Sequence, residues 1–266
     1  MAESSHFTEG DYYQACFDSR AYMKNFYSRP EGHSEEEGYL TFVLGCLSRT
    51  FSTGQYKGQR LIDVGSGPTI HTVISACEHF DELVLSDFVD KNREEIKKWI
   101  NNEEGCFDWK PLIDYVCEMD GRSSSDVEAK LRQRVKQVLK CDVLSENPFH
   151  PESVEPADCV ITSLCLEAAS KDLQTYRNAL RSVAKLLRPG GALVMLGVLG
   201  ETFYYIDKIR FSCLQLSKAN VEDVLRNLDF TVQEFNILPA QDQEKNTVSD
   251  FEAVFYLVAL KSTKTS

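Results

Sequence analysis

The sequence is informative first for what it lacks. No uninterrupted apolar run approaches the roughly 18 residues that a membrane-spanning helix needs. The opening stretch, Met1-Ala-Glu-Ser-Ser-His-Phe-Thr-Glu9, has neither a basic n-region nor an apolar h-region, so no secretory leader is expected. No two of the nine cysteines stand at the C-x-x-C spacing of a zinc or redox site, and Cys46, Cys77, Cys159 and Cys165 lie in apolar stretches. The five histidines are dispersed, with no two on a plausible metal face. No metal is expected, and the cysteines read as reduced, buried thiols of a cytoplasmic protein. Basic residues are also in short supply: 29 Lys and Arg against 41 Asp and Glu leave a net charge of −12. Such a surface repels phosphate backbones and anionic lipid, so neither nucleic acid nor a membrane is an expected partner. There is no internal repeat and no low-complexity segment.

What is present is an ordinary globular composition, 42% hydrophobic and 26% charged over 266 residues, enough for a sizeable α/β core. The first fifty or so residues read as helical. Residues 11–28 carry Tyr12, Tyr13, Phe17, Tyr22, Phe26 and Tyr27 around Arg20 and Lys24. After a polar loop, Tyr39, Phe42, Val43, Cys46 and Leu47 form a helical stripe. From residue 60 the texture alternates. Strands are expected at Arg60–Val64, Glu82–Ser86, up to Cys141-Asp142-Val143, at Ala157–Ser163 and at Ala192–Leu196. Helices are expected through Ile74 and Cys77, over Asp90–Asn101, over residues 126–139 and over Leu173–Leu187. This rhythm implies βαβ units and a parallel sheet covered on both faces. The tail reads differently: a hairpin over Phe203–Cys213, a helix over Lys218–Leu228, and two strands, Thr231–Leu238 and Phe251–Leu260, that should pair antiparallel.

In a doubly wound sheet, ligands bind beyond the carboxyl ends of the strands. The first strand ends in Asp63-Val-Gly65-Ser66-Gly67-Pro68, where glycines let the backbone approach a ligand and Pro68 suits a first helical turn. A third glycine, which would pack a helix against a pyrophosphate, is missing, so the ligand need not carry phosphates. Asp87 closes the second strand, placed to accept the hydroxyls of a ribose, and Asp142 closes the third, beside Val143, placed to receive an adenine amino group. Any one of these is commonly a solvated cap; three successive strand ends finishing in Asp favour an adenosyl ligand.

Leu61-Ile-Asp-Val-Gly-Ser-Gly-Pro-Thr69, Ser75-Ala-Cys77, Ser86-Asp-Phe88 with Asn92, Leu164-Cys-Leu-Glu-Ala168 and Leu187-Arg-Pro-Gly-Gly191 closely resemble the phenylethanolamine, indolethylamine and nicotinamide N-methyltransferase family. The likeness runs nearly end to end and includes Phe17-x-x-Arg20-x-Tyr22. It implies a Rossmann-like class I methyltransferase with a seven-stranded, mostly parallel sheet and an antiparallel last strand. One methyltransferase domain over 1–266 is expected, with a helical lid over 1–55 and the core over 56–266. By position it assigns the S-adenosylmethionine site to lid tyrosines Tyr13, Tyr22 and Tyr27, to Gly65, Ser66 and Thr69, to Asp87 and Asn92 at the ribose, and to Asp142, Val143 and Ser163 at the adenine. His71 stands where the family usually has tyrosine and is left outside this set.

Glu167 and Glu201 match the acidic residues that contact the amine in the phenylethanolamine enzymes, and such carboxylates can hold an ammonium and take its proton. The resemblance further suggests a substrate pocket of Phe26, Val43, Leu164, Tyr204 and Leu238, with Asp250 near the substrate. Gly197 and Cys213 occupy the positions where nicotinamide enzymes carry an aspartate and a serine, which disfavours nicotinamide. The expected partner is a small aromatic amine, an arylalkylamine, and the chain is expected to be a monomer. A pyridine N-methyltransferase is the alternative; an NAD(P)-dependent oxidoreductase and a non-catalytic cofactor-binding protein are weaker ones.

Overall fold

The computed structural model describes residues 7–31, 38–241 and 247–263. Parts of the lid expected over 1–55, namely 1–6 and 32–37, lie outside the described residues, as do 242–246 of the loop between the last two strands. Strands β1 (Gly58–Val64), β2 (Phe80–Asp87), β3 (Val135–Lys140), β4 (Ala157–Ser163), β5 (Leu187–Leu199), β8 (Phe230–Pro239) and β9 (Ala253–Lys261) form one sheet. Its order is β3-β2-β1-β4-β5-β9-β8. The first five strands run parallel; β9 is antiparallel to both β5 and β8. A separate hairpin joins β6 (Phe203–Ile206) to β7 (Ile209–Ser212). This is the seven-stranded class I methyltransferase sheet with its antiparallel last strand.

Alternation along each strand assigns the two faces. Leu61, Leu83, Leu85, Ile161 and Val194 pack with α3 (Tyr39–Ser52), α4 (Asp90–Ile100), α5 (Lys110–Asp120) and α6 (Ser124–Arg134). Ile62, Val64, Val84, Val160 and Leu193 face α7 (Leu166–Ala169), α8 (Leu173–Lys185) and α9 (Lys218–Asn227). The order of the strands reverses between β1 and β4, because β2 and β3 extend the sheet one way and β4 and β5 the other. A crevice opens there, past the strand ends.

Four local expectations need correction. The aromatic run over 11–28 is two helices, α1 (Gly10–Cys16) and α2 (Ser19–Phe26). Asp18 breaks it by accepting from the N–H groups of Arg20 and Ala21, at 3.0 and 2.9 Å, which starts a new helix. After Pro68 there is no α-helix, only 3₁₀ turns at His71–Val73 and Ala76–Glu78. Thr69, Ile70, Thr72, Val73 and Ile74 are β-branched, and the Thr69 hydroxyl turns back to donate to the Ser66 carbonyl at 2.8 Å. The helix expected over 126–139 stops at Arg134, and Val135–Lys140 becomes β3 because the open edge of β2 takes it as a partner. Asp142 therefore lies two residues beyond β3 rather than at its end.

Val43 belongs to the core, not to a pocket. It is fully buried on α3 within the cluster that includes Leu40, Leu47, Ile70 and Tyr256. Val43→Ala should lower the unfolding free energy by about 2 kcal/mol through lost burial and a residual cavity. Urea denaturation reads this, and ligand selectivity should stay as in the parent.

Candidate active site

The crevice is a cavity of about 670 Å³. Its floor begins with the turn after β1. Gly65 and Gly67 have φ of +70° and +61°, conformations that L side chains rarely adopt. A Cβ on Gly65 would stand 2.2 Å from the Cys165 Sγ, so only glycine lets the loops after β1 and β4 touch. The bend aims the Gly67 N–H at the Asp87 carboxylate, 2.9 Å away, while the Ser66 N–H donates to the Ser86 carbonyl at 2.9 Å.

Asp87 is buried and accepts two further bonds, from the Val89 N–H at 2.8 Å and from the Asn92 Nδ2 at 2.9 Å. Burial pushes its pKa up, and these donors act against that push. Asp142 lines the cavity while its carboxylate closes its own turn, accepting the Leu144 N–H and the Ser145 hydroxyl, each at 3.0 Å. Asp63, by contrast, is sealed under the floor. It receives the Thr72 hydroxyl, and burial pushes its pKa up to about 7. The Ser163 Oγ is buried on the cavity wall without a hydrogen-bond partner among the described residues.

Helices α1 and α2 and the residue after them supply more of the wall. Tyr13, Tyr22, Phe26 and Tyr27 all face the cavity. The Tyr13 and Tyr204 hydroxyls stand 3.0 Å apart, and those of Tyr22 and Tyr27 3.2 Å apart. Burial pushes the Tyr13 and Tyr204 phenols up, so both stay neutral. The carboxyls of Glu167 and Glu201 line the cavity too, both on buried residues. Glu167 takes the Val198 N–H at 3.3 Å, and a Cβ on Gly197 would fall 2.7 Å from its Oε1. Burial drives the Glu167 pKa up to about 7, and what acts against it is backbone N–H donation, not a cation. The Cys213 thiol is held protonated, first by burial and then by the charges of Glu201 and Glu167.

All eleven residues expected at the cofactor site line this cavity: Tyr13, Tyr22, Tyr27, Gly65, Ser66, Thr69, Asp87, Asn92, Asp142, Val143 and Ser163. Phe26, Leu164, Tyr204, Glu167 and Glu201 line it as well. Val43, Leu238 and Asp250 do not. Leu238 packs behind the wall with Val198, Phe251 and Val254. The Asp250 carboxylate is taken up by the Thr202 and Phe203 N–H groups, at 2.7 and 3.1 Å, and by the Thr202 hydroxyl.

The sequence reading left out His71, which is buried on the wall with its ring 4.7 Å from that of Tyr27. Its tautomer follows from its partners. The Thr69 hydroxyl is already spent on the Ser66 carbonyl, so the His71 Nδ1, 2.9 Å away, must be the donor to Thr69. The Nε2 is then a lone-pair acceptor with no partner among the described residues, and burial pushes the pKa down to about 3. Leu164 carries a second signal invisible in sequence: a φ of +51°, strained for leucine, which turns the chain out of β4 toward Glu167.

Among the described residues no helix is long and apolar enough to cross a membrane, and no group of three His, Cys, Asp or Glu is arranged to hold a metal ion. Comparison with known proteins is consistent across the chain. The profile of the NNMT/PNMT/TEMT family matches residues 5–262. Nicotinamide N-methyltransferase of Homo sapiens is 40% identical over 262 residues, covering 98% of each chain. Indolethylamine N-methyltransferase of Oryctolagus cuniculus is 43% identical over 257 residues, 96% of this chain and 97% of that one. Phenylethanolamine N-methyltransferase of Rattus norvegicus is 38% identical over 252 residues, 92% of this chain and 88% of that one. Among solved structures, magnesium protoporphyrin IX methyltransferase from Synechocystis PCC 6803 superimposes with a TM-score of 0.55 at 12% identity, over 95% of this chain and 97% of that one. The N-methyltransferase NodS from Bradyrhizobium japonicum gives 0.51 at 12% identity, over 93% and 94%. These two likenesses concern the fold alone. The profile and the curated relatives span nearly the whole chain, which therefore belongs to the NNMT/PNMT/TEMT family and, with it, to the S-adenosylmethionine-dependent N-methyltransferases of small molecules.

Proposed function

We propose that this chain methylates the nitrogen of an arylalkylamine, with Glu167 as the group that holds the ammonium and takes its proton. One observation carries the reading. Glu167 is a buried carboxyl whose pKa is raised to about 7, lining an aromatic-walled cavity, balanced by backbone N–H groups alone. A cationic ligand would relieve that imbalance, and the rings of Tyr13, Phe26 and Tyr204 suit an aromatic body.

Other residues of the cavity fit an adenosyl group. Asp87 Oδ2 accepts only the Gly67 N–H and so has a lone pair left for a ribose hydroxyl, and the Ser163 Oγ is a buried polar atom in need of a partner. S-adenosylmethionine, when bound, supplies an electrophilic methyl on a sulfonium. The tyrosine rings offer that cation polarisable faces, and the lid excludes water. Alignment of donor and acceptor is then the main contribution of the protein.

A primary alkylammonium titrates near pH ~10, like lysine, and must lose a proton before its nitrogen can attack. Glu167 is the base for that proton, and Glu201 on the same cavity adds negative charge that favours the cation. A pyridine nitrogen carries no such proton and needs no base. Gly197 supports the amine reading too, since a side chain there would displace the Glu167 carboxyl.

Incubation with methyl-labelled S-adenosylmethionine and, separately, tryptamine, phenethylamine, phenylethanolamine and nicotinamide tests this directly. Label should pass to at least one of the amines in preference to nicotinamide. Turnover of nicotinamide alone would overturn the reading. The pH profile of kcat/KM for the amine should rise through about 7 as Glu167 loses its proton. Glu167→Gln should lower kcat/KM roughly 100-fold and abolish that limb, with cofactor affinity little changed. Gly197→Ala should cost roughly 10- to 100-fold by displacing the same carboxyl. Linkage gives a check that needs no substrate. A folded-state pKa raised from 4.5 to about 7 supports folding fully below 4.5 and loses that support as pH rises to about 7. Above that pH, Glu167→Gln should melt higher than the parent.

A further inference from the structure

Ser19 lies outside the cavity, and none of the roles above uses it. It is the first residue of lid helix α2, buried at 4% exposure, and its hydroxyl sits 2.6 Å from the Asn92 Oδ1 across 73 residues of sequence. Asn92 is itself buried at 2% exposure on α4, and its Nδ2 donates to the Asp87 Oδ1 at 2.9 Å. The direction of each bond is forced. An ionised carboxylate only accepts, so the Asn92 NH₂ must face Asp87; the amide oxygen then faces the lid, and Ser19 must donate. A three-membered chain thus runs from the lid helix to the carboxylate at the end of β2. The remaining Asp87 partners, Gly67 N–H and Val89 N–H, come from the core and do not depend on the lid.

We propose that Ser19 is a positioning residue that couples seating of the lid to recognition of the cofactor ribose, by fixing the Asn92 amide against Asp87. The inference rests on the reading of Asp87 as the ribose carboxylate. With the lid seated, the Asn92 oxygen is satisfied and its NH₂ is committed with the Val89 N–H to Asp87 Oδ1, which leaves Oδ2, held only by the Gly67 N–H, oriented for a ribose hydroxyl. With the lid lifted, the Asn92 oxygen loses its buried donor, the amide is free to turn, and one of the three N–H groups that hold Asp87 goes with it. Ribose hydroxyls that engage Asp87 therefore favour the seated lid, and a ligand without them does not. Arg20, the next residue, reaches α4 as well, with NH2 2.5 Å from the Glu95 carboxylate, but that pair has no link to Asp87. It anchors the helix without sensing the ligand.

The test is calorimetric titration with S-adenosylhomocysteine and with its 2′-deoxyadenosyl counterpart. The parent should prefer the ribose form. Ser19→Ala leaves a buried acceptor unsatisfied and should weaken S-adenosylhomocysteine about tenfold while barely moving the deoxy ligand, so that discrimination collapses. Ser19→Thr, which keeps the hydroxyl, should restore it. In turnover, KM for S-adenosylmethionine should rise with KM for the amine unchanged. Equal weakening of both ligands would mean that Ser19 is merely part of the packing, and the proposal would fall. Should Ser19→Ala not fold, Ser19→Cys supplies a near-isosteric, poorer donor and should give a smaller shift in the same direction; undiminished discrimination there also overturns it. Asp87→Asn separates the two levels. If it leaves S-adenosylhomocysteine binding intact, the ribose reading itself is wrong. If it weakens binding while Ser19→Ala does not, only the coupling is wrong.

Discussion

A carboxylate taken out of water costs several kcal/mol unless donors replace its hydration, and Asp87 is such a carboxylate. Its three N–H donors come from three pieces of chain: the turn after β1, the turn after β2, and α4. Meeting that demand dictates much of the floor of the crevice. The loop after β1 must fold back on β2, which requires left-handed backbone at Gly65 and Gly67 and a Ser66 N–H bonded to the Ser86 carbonyl. The bend in turn brings the Gly65 α-carbon against Cys165, locking the ends of β1 and β4 together. The switch point of the sheet is therefore both the place where a ligand fits and the place where backbone and carboxylate satisfy each other.

Glu167 obeys the opposite logic. Burial pushes up both carboxyls, but Asp87 is also opposed by the Arg93 charge and a side-chain amide, whereas Glu167 has backbone N–H groups only. A buried carboxylate held by three N–H donors is a fixed part of the structure. An under-satisfied one is poised near neutrality, able to exchange a proton with whatever enters. The two carboxyls thus face one cavity with different protonation behaviour.

The strands and both faces of the sheet were legible because Leu61, Ile62 and Val64, or Leu83, Val84 and Leu85, alternate as buried strands must. Asp87, the last residue of β2, was legible for the same reason, whereas Asp142 lies two residues beyond β3 and Asp63 is sealed under the floor. What misled was period without context. Val127, Leu131, Val135 and Val138 recur at helical spacing, yet the last two lie in β3, because pairing with an open edge outweighs a local pattern. Val43 and Leu238 are apolar residues beside the site in sequence terms, but depth within a helix stripe or behind a strand cannot be read from hydrophobicity. Asp250 is placed near the substrate by the resemblance, whereas the N–H groups it caps on Thr202 and Phe203 appear only in three dimensions. His71 was set aside for differing from the family, although its place on the wall follows from the Thr69 bond two residues away.

The lid and the β6–β7 hairpin are the parts least legible in sequence, since their contacts span about 200 residues. The Thr8 N–H donates to the Ser212 Oγ at 2.6 Å, and the Ser212 N–H returns to the Thr8 Oγ1 at 2.9 Å. Asn25 Nδ2 donates to Asp207 at 2.9 Å, and Tyr13, Phe17 and Tyr204 gather on the Phe211 ring. Lid and hairpin are thereby one cover, walling the cavity that Glu167 and Glu201 also line. Hydrogen bonds such as those between Thr8 and Ser212 contribute about 1 kcal/mol each, and aromatic pairs about as much. Met23 and Tyr27 of the N-terminal segment are buried in the main core cluster as well, so the cover is tied to the body of the protein and not to the hairpin alone. Glu167 lines the same cavity as Tyr13 and Tyr204 of that cover, and burial, which pushes its pKa up to about 7, keeps its proton within reach of exchange near neutrality.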